Sequence, residues 1–169
     1  ISQCRVGDDG TIYLLDTRMS EVPVYSPDGE RLDTLSREGD GPGETRMPTN
    51  LLFLPDGNLG LVQLFPGKIT KIDLEGSPMG VMEIGDPTAG GFMQVYDCTS
   101  GPTQVVVTAE SISPENGGTA HQRNNFVAAY DAEISSADAG FAELVALLRA
   151  LGSDYQRVLR EHDRIVVET

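Results

Sequence analysis

The sequence predicts a mainly β fold: a partial β-propeller of about three four-stranded antiparallel blades, followed by one or two C-terminal α-helices. The first observation is a repeat, since "GDDGTIYLLD" (7–16) and "LPDGNLGLVQ" (54–63) lie 47 residues apart. The turns "SPDGE" (26–30) and "LEGSP" (74–78) follow these blocks at a similar interval. Repeats of this length with several short strands are typical of propeller blades. The second observation is that the apolar pattern changes to helical spacing after residue 134.

Four short alternating apolar runs indicate four antiparallel strands in blade one, about residues 1–36, and the same runs recur in blade two, about 48–84. In blade one they are Cys4 and Val6, Ile12 and Leu14, Val22 and Val24, and Leu32 and Leu35. Asp-Gly or Glu-Gly pairs stand at 9–10, 28–29, 56–57 and 75–76. Glycine tolerates the positive φ of tight hairpins, so these pairs predict the turns within each blade.

Blade three, about residues 92–134, is less regular and completes a propeller segment of 1–134. Its predicted strands are 92–96, 105–107 and 126–130, and no fourth strand can be identified. We expect 109–125 to be a loop that interrupts the repeat.

Residues 135–169 are expected to form a helical segment that ends in a short strand. A first helix over 140–151 is indicated by Phe141, Leu144, Val145, Leu148 and Leu151, which share one face. This stripe would cover the incomplete blade or bind a partner. Ser153 and Gln156 have capping-box spacing and predict a second helix that buries Tyr155, Val158 and Leu159. Residues 165–167 would form the terminal strand.

Composition excludes several classes of function. Twenty-six acidic and twelve basic residues give a net charge of −14, which repels nucleic acid and anionic lipid surfaces. No apolar run reaches the length of about 20 residues that spans a bilayer, and "ISQCRV" at the start does not resemble a signal peptide. Cys4 and Cys98 are expected to be small buried side chains, too far apart for a disulfide.

The long connections are expected to collect at one end of the blades, opposite the tight turns. They are 17–20, 36–49, 64–67 and 109–125. Long loops on a rigid scaffold commonly carry binding residues. The predicted binding residues are Arg18, Arg37, Asp40, Glu44, His121 and Arg123.

No catalytic residues are predicted, because no nucleophile motif is present and His121 and His162 are isolated. Neither is a cofactor or a metal, since zinc needs three or four clustered ligands. Calcium is the one alternative, with Asp40 and Glu44 as its ligands.

Residues 36–57, "SREGDGPGETRMPTNLLFLPDG", together with "VPVYSPDGERLDTL" (22–35), resemble the NHL-like six-bladed β-propeller proteins of bacteria. In that family a linker "G-(R/E)-G-x-G-P-G-E" commonly joins two blades. Residues 38–44 match it, and Thr45 replaces the aromatic residue that usually follows. The resemblance covers 3–84 and, more weakly, 92–131. It implies an extracytoplasmic location, in the periplasm or at the cell surface, although this chain carries no signal peptide or lipid anchor.

Six blades of 47 residues would need about 280 residues, whereas this chain has 169. The open sheet edges would be covered by the C-terminal helices, by a second copy in a homodimer, or by the remainder of a longer propeller chain. The expected function is a non-enzymatic binding or scaffold module that presents the loops to a protein, peptide or glycan. One alternative is a metal-dependent propeller hydrolase or lyase. Another is a fragment of a longer propeller without a function of its own.

Overall fold

The computed structural model describes residues 1–84, 92–114, 121–131, 157–161 and 164–168. The chain divides into two compact units, of which the first comprises residues 1–53 and 57–84, and the second 85–169 together with 54–56. The described residues are mainly β, in antiparallel sheets, as predicted, and no α-helix occurs among them. They accordingly include no helix long and apolar enough to cross a bilayer.

The first unit contains two four-stranded antiparallel sheets, each with its strands in chain order. The first sheet consists of β1 (Gln3–Val6), β2 (Ile12–Leu15), β3 (Val22–Tyr25) and β4 (Arg31–Leu35). The second consists of β5 (Asn50–Phe53), β6 (Leu59–Gln63), β7 (Lys68–Ile72) and β8 (Pro78–Glu83). The first two strands of each sheet start 47 residues apart, so the repeat in the sequence is a repeat of structure.

Glycines with positive φ form the tight turns at one end of both sheets. Gly10 and Gly57 have φ of 85° and 83° in equivalent turns, and Gly29 and Gly76 have φ of 85° and 90°. A side chain rarely adopts this conformation because its Cβ would crowd the backbone. The predicted turn glycines are thereby confirmed.

The two sheets of the first unit pack face to face. We call the face of the first sheet that contacts the second sheet its inner face, and the opposite one its outer face. The inner face contributes buried Tyr13, Leu15, Val22, Val24 and Leu35, and the second sheet contributes Leu51, Leu59, Leu61 and Ile72. Tyr13 also meets Phe53 edge to face, with ring centroids 5.6 Å apart. Gln3 Oε1 accepts a hydrogen bond of 2.7 Å from the Leu51 N–H, which holds β1 beside β5.

The second unit contains a five-stranded sheet in the order β12-β13-β11-β10-β9, whereas three strands without an identifiable fourth were predicted for blade three. Its strands are β9 (Phe92–Ser100), β10 (Gln104–Pro114), β11 (His121–Asp131), β12 (Arg157–Glu161) and β13 (Arg164–Glu168). The prediction of a loop over 109–125 was wrong, because 109–114 and 121–125 belong to a long hairpin. The ladder of backbone hydrogen bonds holds these polar stretches as strands despite their weak β propensity.

The predicted second helix was also wrong over residues 157–161, which form β12. Val158 pairs with Val167 and Leu159 with Val166, so both residues belong to a hairpin with β13. Cross-strand pairing between aliphatic residues outweighs the helical spacing that suggested otherwise. Residues 165–167, the predicted terminal strand, lie in β13. The first predicted helix, 140–151, lies outside the described residues.

The two cysteines differ in burial. Cys98 is buried, as predicted, but Cys4 is exposed and the prediction was wrong there. Cys4 lies on the outer face of the first sheet, which the second sheet does not cover. Both cysteines are free.

Candidate functional site

Three connections meet at the end of the first unit opposite the glycine turns. They are the β2–β3 turn (16–21), the linker between the sheets (36–49) and the β6–β7 turn (64–67), and we call them together the loop end. Thr17 Oγ1 donates a hydrogen bond of 2.7 Å to the Pro48 carbonyl. Ser20 Oγ accepts one of 3.0 Å from the Met47 N–H. The β2–β3 turn is therefore fastened to the linker.

The linker folds around the carboxylate of Glu44. Oε1 accepts a hydrogen bond of 2.6 Å from Arg37 Nε, and Oε2 accepts one of 2.9 Å from the Gly41 N–H. A Cβ added at Gly39 would overlap this carboxylate, and one at Gly41 would lie 3.0 Å from Oε2. The glycines of the linker motif thus leave room for Glu44 to fold back on its own loop. These bonds, that from Gly41 first and that from Arg37 second, lower the pKa of Glu44.

A second ion pair closes the linker on its exposed side. Arg46 donates to Asp40, with 2.7 Å between Nη2 and Oδ2, and its Nη1 lies 3.4 Å from Glu38 Oε1. The hydrogen bond from Arg46 lowers the pKa of Asp40. Asp40 and Glu44, the candidate calcium ligands, are therefore both engaged by arginines. Within the described part of the chain, no group of three or more His, Cys, Asp or Glu residues is arranged to hold a metal.

Gln63 joins the linker to the β6–β7 turn. Its buried side-chain oxygen accepts hydrogen bonds from Arg46 N–H at 3.2 Å and from Thr45 Oγ1 at 3.4 Å. Its Nε2 donates to the Phe65 carbonyl at 3.0 Å. The side chain thus satisfies groups of two loops at once, which fixes their relative positions.

The loop end also holds strained backbone. Ser20, Ser36 and Met47 have φ of 55°, 60° and 47°, and they are the non-glycine residues with positive φ among those described. Such conformations cost about 1–3 kcal/mol each and cluster at binding and catalytic sites. Ser20 and Ser36 offset part of this cost with side-chain hydrogen bonds to Met47 and Gly43.

Large apolar side chains are exposed at the loop end, whose three connections are held together by hydrogen bonds. Met19 is 58% exposed, Met47 68% and Phe65 56%, one from each of the three connections. The arginines Arg18, Arg37 and Arg46 are also exposed. Met19, Met47, Phe65 and Arg46 were not predicted as site residues. An apolar residue inside a predicted connection is the signal that would have identified the first three.

Four of the six predicted binding residues, Arg18, Arg37, Asp40 and Glu44, lie at the loop end. His121 and Arg123 do not, because they belong to β11 of the second unit, where they pair with Pro114 and Ile112. Their predicted position in a loop was therefore wrong.

No protein-family model matches the sequence, and no curated protein matches it significantly. Among solved structures, the chain is similar to selenomethionine-substituted virginiamycin B lyase from Staphylococcus aureus, with a TM-score of 0.45 and 12% sequence identity. The match covers 98% of this chain and 64% of that one, so this chain spans less than two thirds of the length of that protein.

Proposed function

We propose that the chain is a non-enzymatic binding module of NHL-like propeller type that presents the loop end of its first unit to a protein or peptide. The observation that carries this proposal is the group of exposed Met19, Met47 and Phe65 on a framework fixed by hydrogen bonds and ion pairs. An extracytoplasmic location belongs to the same proposal and rests on the resemblance of the linker motif.

The propeller architecture is supported by the geometry of the first unit. Two four-stranded meanders stack face to face, β1 lies beside β5, and the linker returns the chain from the last strand of one sheet to the first strand of the next. Consecutive blades around a common axis have this connectivity. The Glu44 carboxylate provides a physical explanation for the linker motif, because it shapes the loop that returns the chain from the first sheet to the second.

The composition of the loop end favours a protein or peptide partner. Methionine, aromatic residues and arginine are enriched in protein interfaces, and a few such side chains usually supply most of the binding energy. Arg37 and Arg46 are paired with carboxylates, so the linker has little net charge in a strongly acidic chain. The fastened loops also lose little conformational entropy on binding.

The experiment is a selection of phage-displayed random peptides on the immobilised protein, followed by calorimetric titration of the selected peptides. Replacing Met19 and Met47 together by Ala should weaken binding at least about tenfold, as is usual for interface hot spots. Met79→Ala is the matched control. Met79 is 50% exposed in β8, outside the loop end, and its replacement should leave affinity unchanged.

Two results would contradict the proposal. One is a set of peptides that bind the double variant as tightly as the unchanged protein. The other is a selection without binders while a glycan array gives a ligand whose affinity depends on the loop end, which would keep the site but replace the class of partner.

A further inference from the structure

The chain contains four Asp-Gly pairs, at 9–10, 28–29, 40–41 and 56–57. An aspartyl side chain followed by glycine can close a ring on the backbone, because glycine has no Cβ to hinder the approach. The glycine nitrogen attacks Cγ of the protonated carboxyl group, the bond from Cγ to the hydroxyl breaks, and the hydroxyl leaves as water with the amide proton. Water then opens this succinimide ring. Opening at the main-chain carbonyl leaves an isoaspartyl bond that runs through the side chain.

The first of these pairs is held by its neighbours. Asp9 Oδ1 accepts a hydrogen bond of 2.9 Å from the Thr11 N–H, and Oδ2 accepts one of 2.8 Å from Thr11 Oγ1. The backbone bond first, and the side-chain bond second, lower the pKa of Asp9, so less of its carboxyl group is in the protonated form that can lose the hydroxyl. A Cβ added at Gly10 would lie 2.9 Å from Pro27 Cγ, so the glycine is closely packed as well.

Two further pairs are also engaged. Arg46 Nε lies 3.1 Å from both carboxylate oxygens of Asp40, and Nη2 lies 2.7 Å from Oδ2. The Gly41 nitrogen, which would have to attack Asp40, donates its hydrogen to Glu44 Oε2 at 2.9 Å. Asp56 is half-buried and takes part in an interaction of its own. In each of these pairs, the groups that would react are occupied.

The pair in the β3–β4 turn differs from the other three. Asp28 is exposed, and within the part of the chain that the structure describes no group binds its carboxylate. A Cβ added at Gly29 would meet nothing within 4 Å. The Gly29 N–H does donate to the Ser26 carbonyl at 2.9 Å, but the Gly10 N–H donates to the Gly7 carbonyl at the same distance. The free carboxylate and the open space around the glycine therefore distinguish this turn.

We propose that Asp28 is the preferred site of isoaspartyl formation in the folded protein. The modification adds the side-chain carbon to the main chain of a tight turn, in which the Ser26 N–H donates to the Glu30 carbonyl at 2.8 Å. It would therefore disturb the turn that joins β3 to β4. This turn belongs to the glycine-turn end of the first unit, so the proposal is independent of the binding proposed for the loop end.

The test is peptide mapping after the folded protein has been kept at neutral pH for several weeks. Trypsin places the four pairs in different peptides, 6–18, 19–31, 38–46 and 47–68. Chromatography separates each isoaspartyl peptide from its aspartyl form, and a methyltransferase specific for isoaspartyl groups labels the former. Isoaspartate should accumulate in peptide 19–31 at least several-fold faster than in the other three. The Asn-Gly pair at 116–117 also forms isoaspartate, but it lies in another peptide and changes in mass.

The same incubation in urea is the control, because unfolding removes the structural differences between the four pairs, and their rates should converge. Thr11→Val removes the hydroxyl that holds Asp9 Oδ2, so it should speed the reaction in peptide 6–18 and leave peptide 19–31 unchanged. Faster formation at any of the other three pairs of the folded protein would overturn the proposal. So would an unreactive Asp28 in the folded protein, or an equally strong preference for Asp28 in urea, which would assign the preference to the local sequence. An unchanged rate at Asp9 in Thr11→Val would refute protection by hydrogen bonds to the carboxylate.

Discussion

The two sheets of the first unit carry the same repeat, yet the same positions differ in burial. Leu51, Leu59 and Leu61 are fully buried, whereas Cys4, Ile12 and Leu14, 47 residues earlier, are exposed or half-buried. The repeat determines which side chains face a neighbouring sheet. The presence of that neighbour determines how much each side chain contributes to stability.

The largest expected effect is on thiol reactivity, because Cys4 and Cys98 lie two periods of 47 residues apart and differ in burial. Burial raises the pKa of Cys98 to about 12, so at about pH 8 roughly one molecule in 10⁴ carries the reactive thiolate. In dilute protein, iodoacetamide should alkylate Cys4 at least ~100-fold faster than Cys98. Peptide mass spectrometry of timed samples measures both rates. Equal rates would show that Cys98 is accessible in solution.

The next effect is on stability and compares two leucines in equivalent strands. Leu61→Ala should lower the free energy of unfolding by about 2–5 kcal/mol, because it leaves a cavity between the sheets. Leu14→Ala should cost only about 1 kcal/mol or less, since Leu14 is already half in contact with water. Urea unfolding measures both. Similar losses would show that the outer face is buried in solution.

The fold of the first unit could be predicted from the sequence because its signals are local. Asp-Gly turns and two-residue alternation act within a few positions of Gly10 and Gly57, and the structure has strands where they indicate them. The hairpin of β10 and β11 was missed beyond Ala109 because Glu110, Ser111 and Asn124 are poor strand formers. Their conformation depends on pairing with a partner strand, which composition does not reveal.

The candidate site was predictable in part for a similar reason. Alternating strand direction is enough to place Arg18, Arg37 and Asp40 at one end of the first unit. The position of Met19, Met47 and Phe65 inside predicted connections makes them candidates, but the sequence does not give their degree of exposure, because that depends on which loops pack over them. Nor could the pattern show that the Glu44 carboxylate folds into its own linker, since that depends on backbone conformation at Gly39 and Gly41.

A smaller effect on stability is expected at Gln63 and Asp16, which are also 47 residues apart. Gln63→Ala should cost about 1–3 kcal/mol, because it leaves the buried Thr45 hydroxyl and the Arg46 N–H without their acceptor. Asp16→Ala should cost about 1 kcal/mol or less, since Asp16 accepts from the exposed N–H groups of Arg18 and Met19, which water can replace.

Limited trypsin digestion gives a second measure of the same comparison. Gln63→Ala should speed cleavage after Arg46, because the linker loses its anchor, and Asp16→Ala should not. If both variants unfold at the same urea concentration, the two positions hold their loops equally and the anchoring role of Gln63 is refuted.

The smallest effect on stability is expected at acid pH. The linker contains carboxylates that take up protons there, whereas the apolar contact between the two sheets contains none. The folded pKa of Glu44 lies below its usual value of 4.5, so the folded state binds fewer protons than the unfolded state. Its contribution to stability is therefore present above about pH 4.5 and is lost as the pH falls through the lowered pKa. Glu44→Gln should be less stable than the unchanged protein near neutral pH, and this difference should shrink below about pH 4.5. Arg37→Gln separates the two causes: because the hydrogen bond from the Gly41 N–H is the largest single cause of the lowered pKa, this variant should keep part of the acid dependence in urea unfolding. Loss of that dependence in Arg37→Gln would instead assign the shape of the linker to the ion pair.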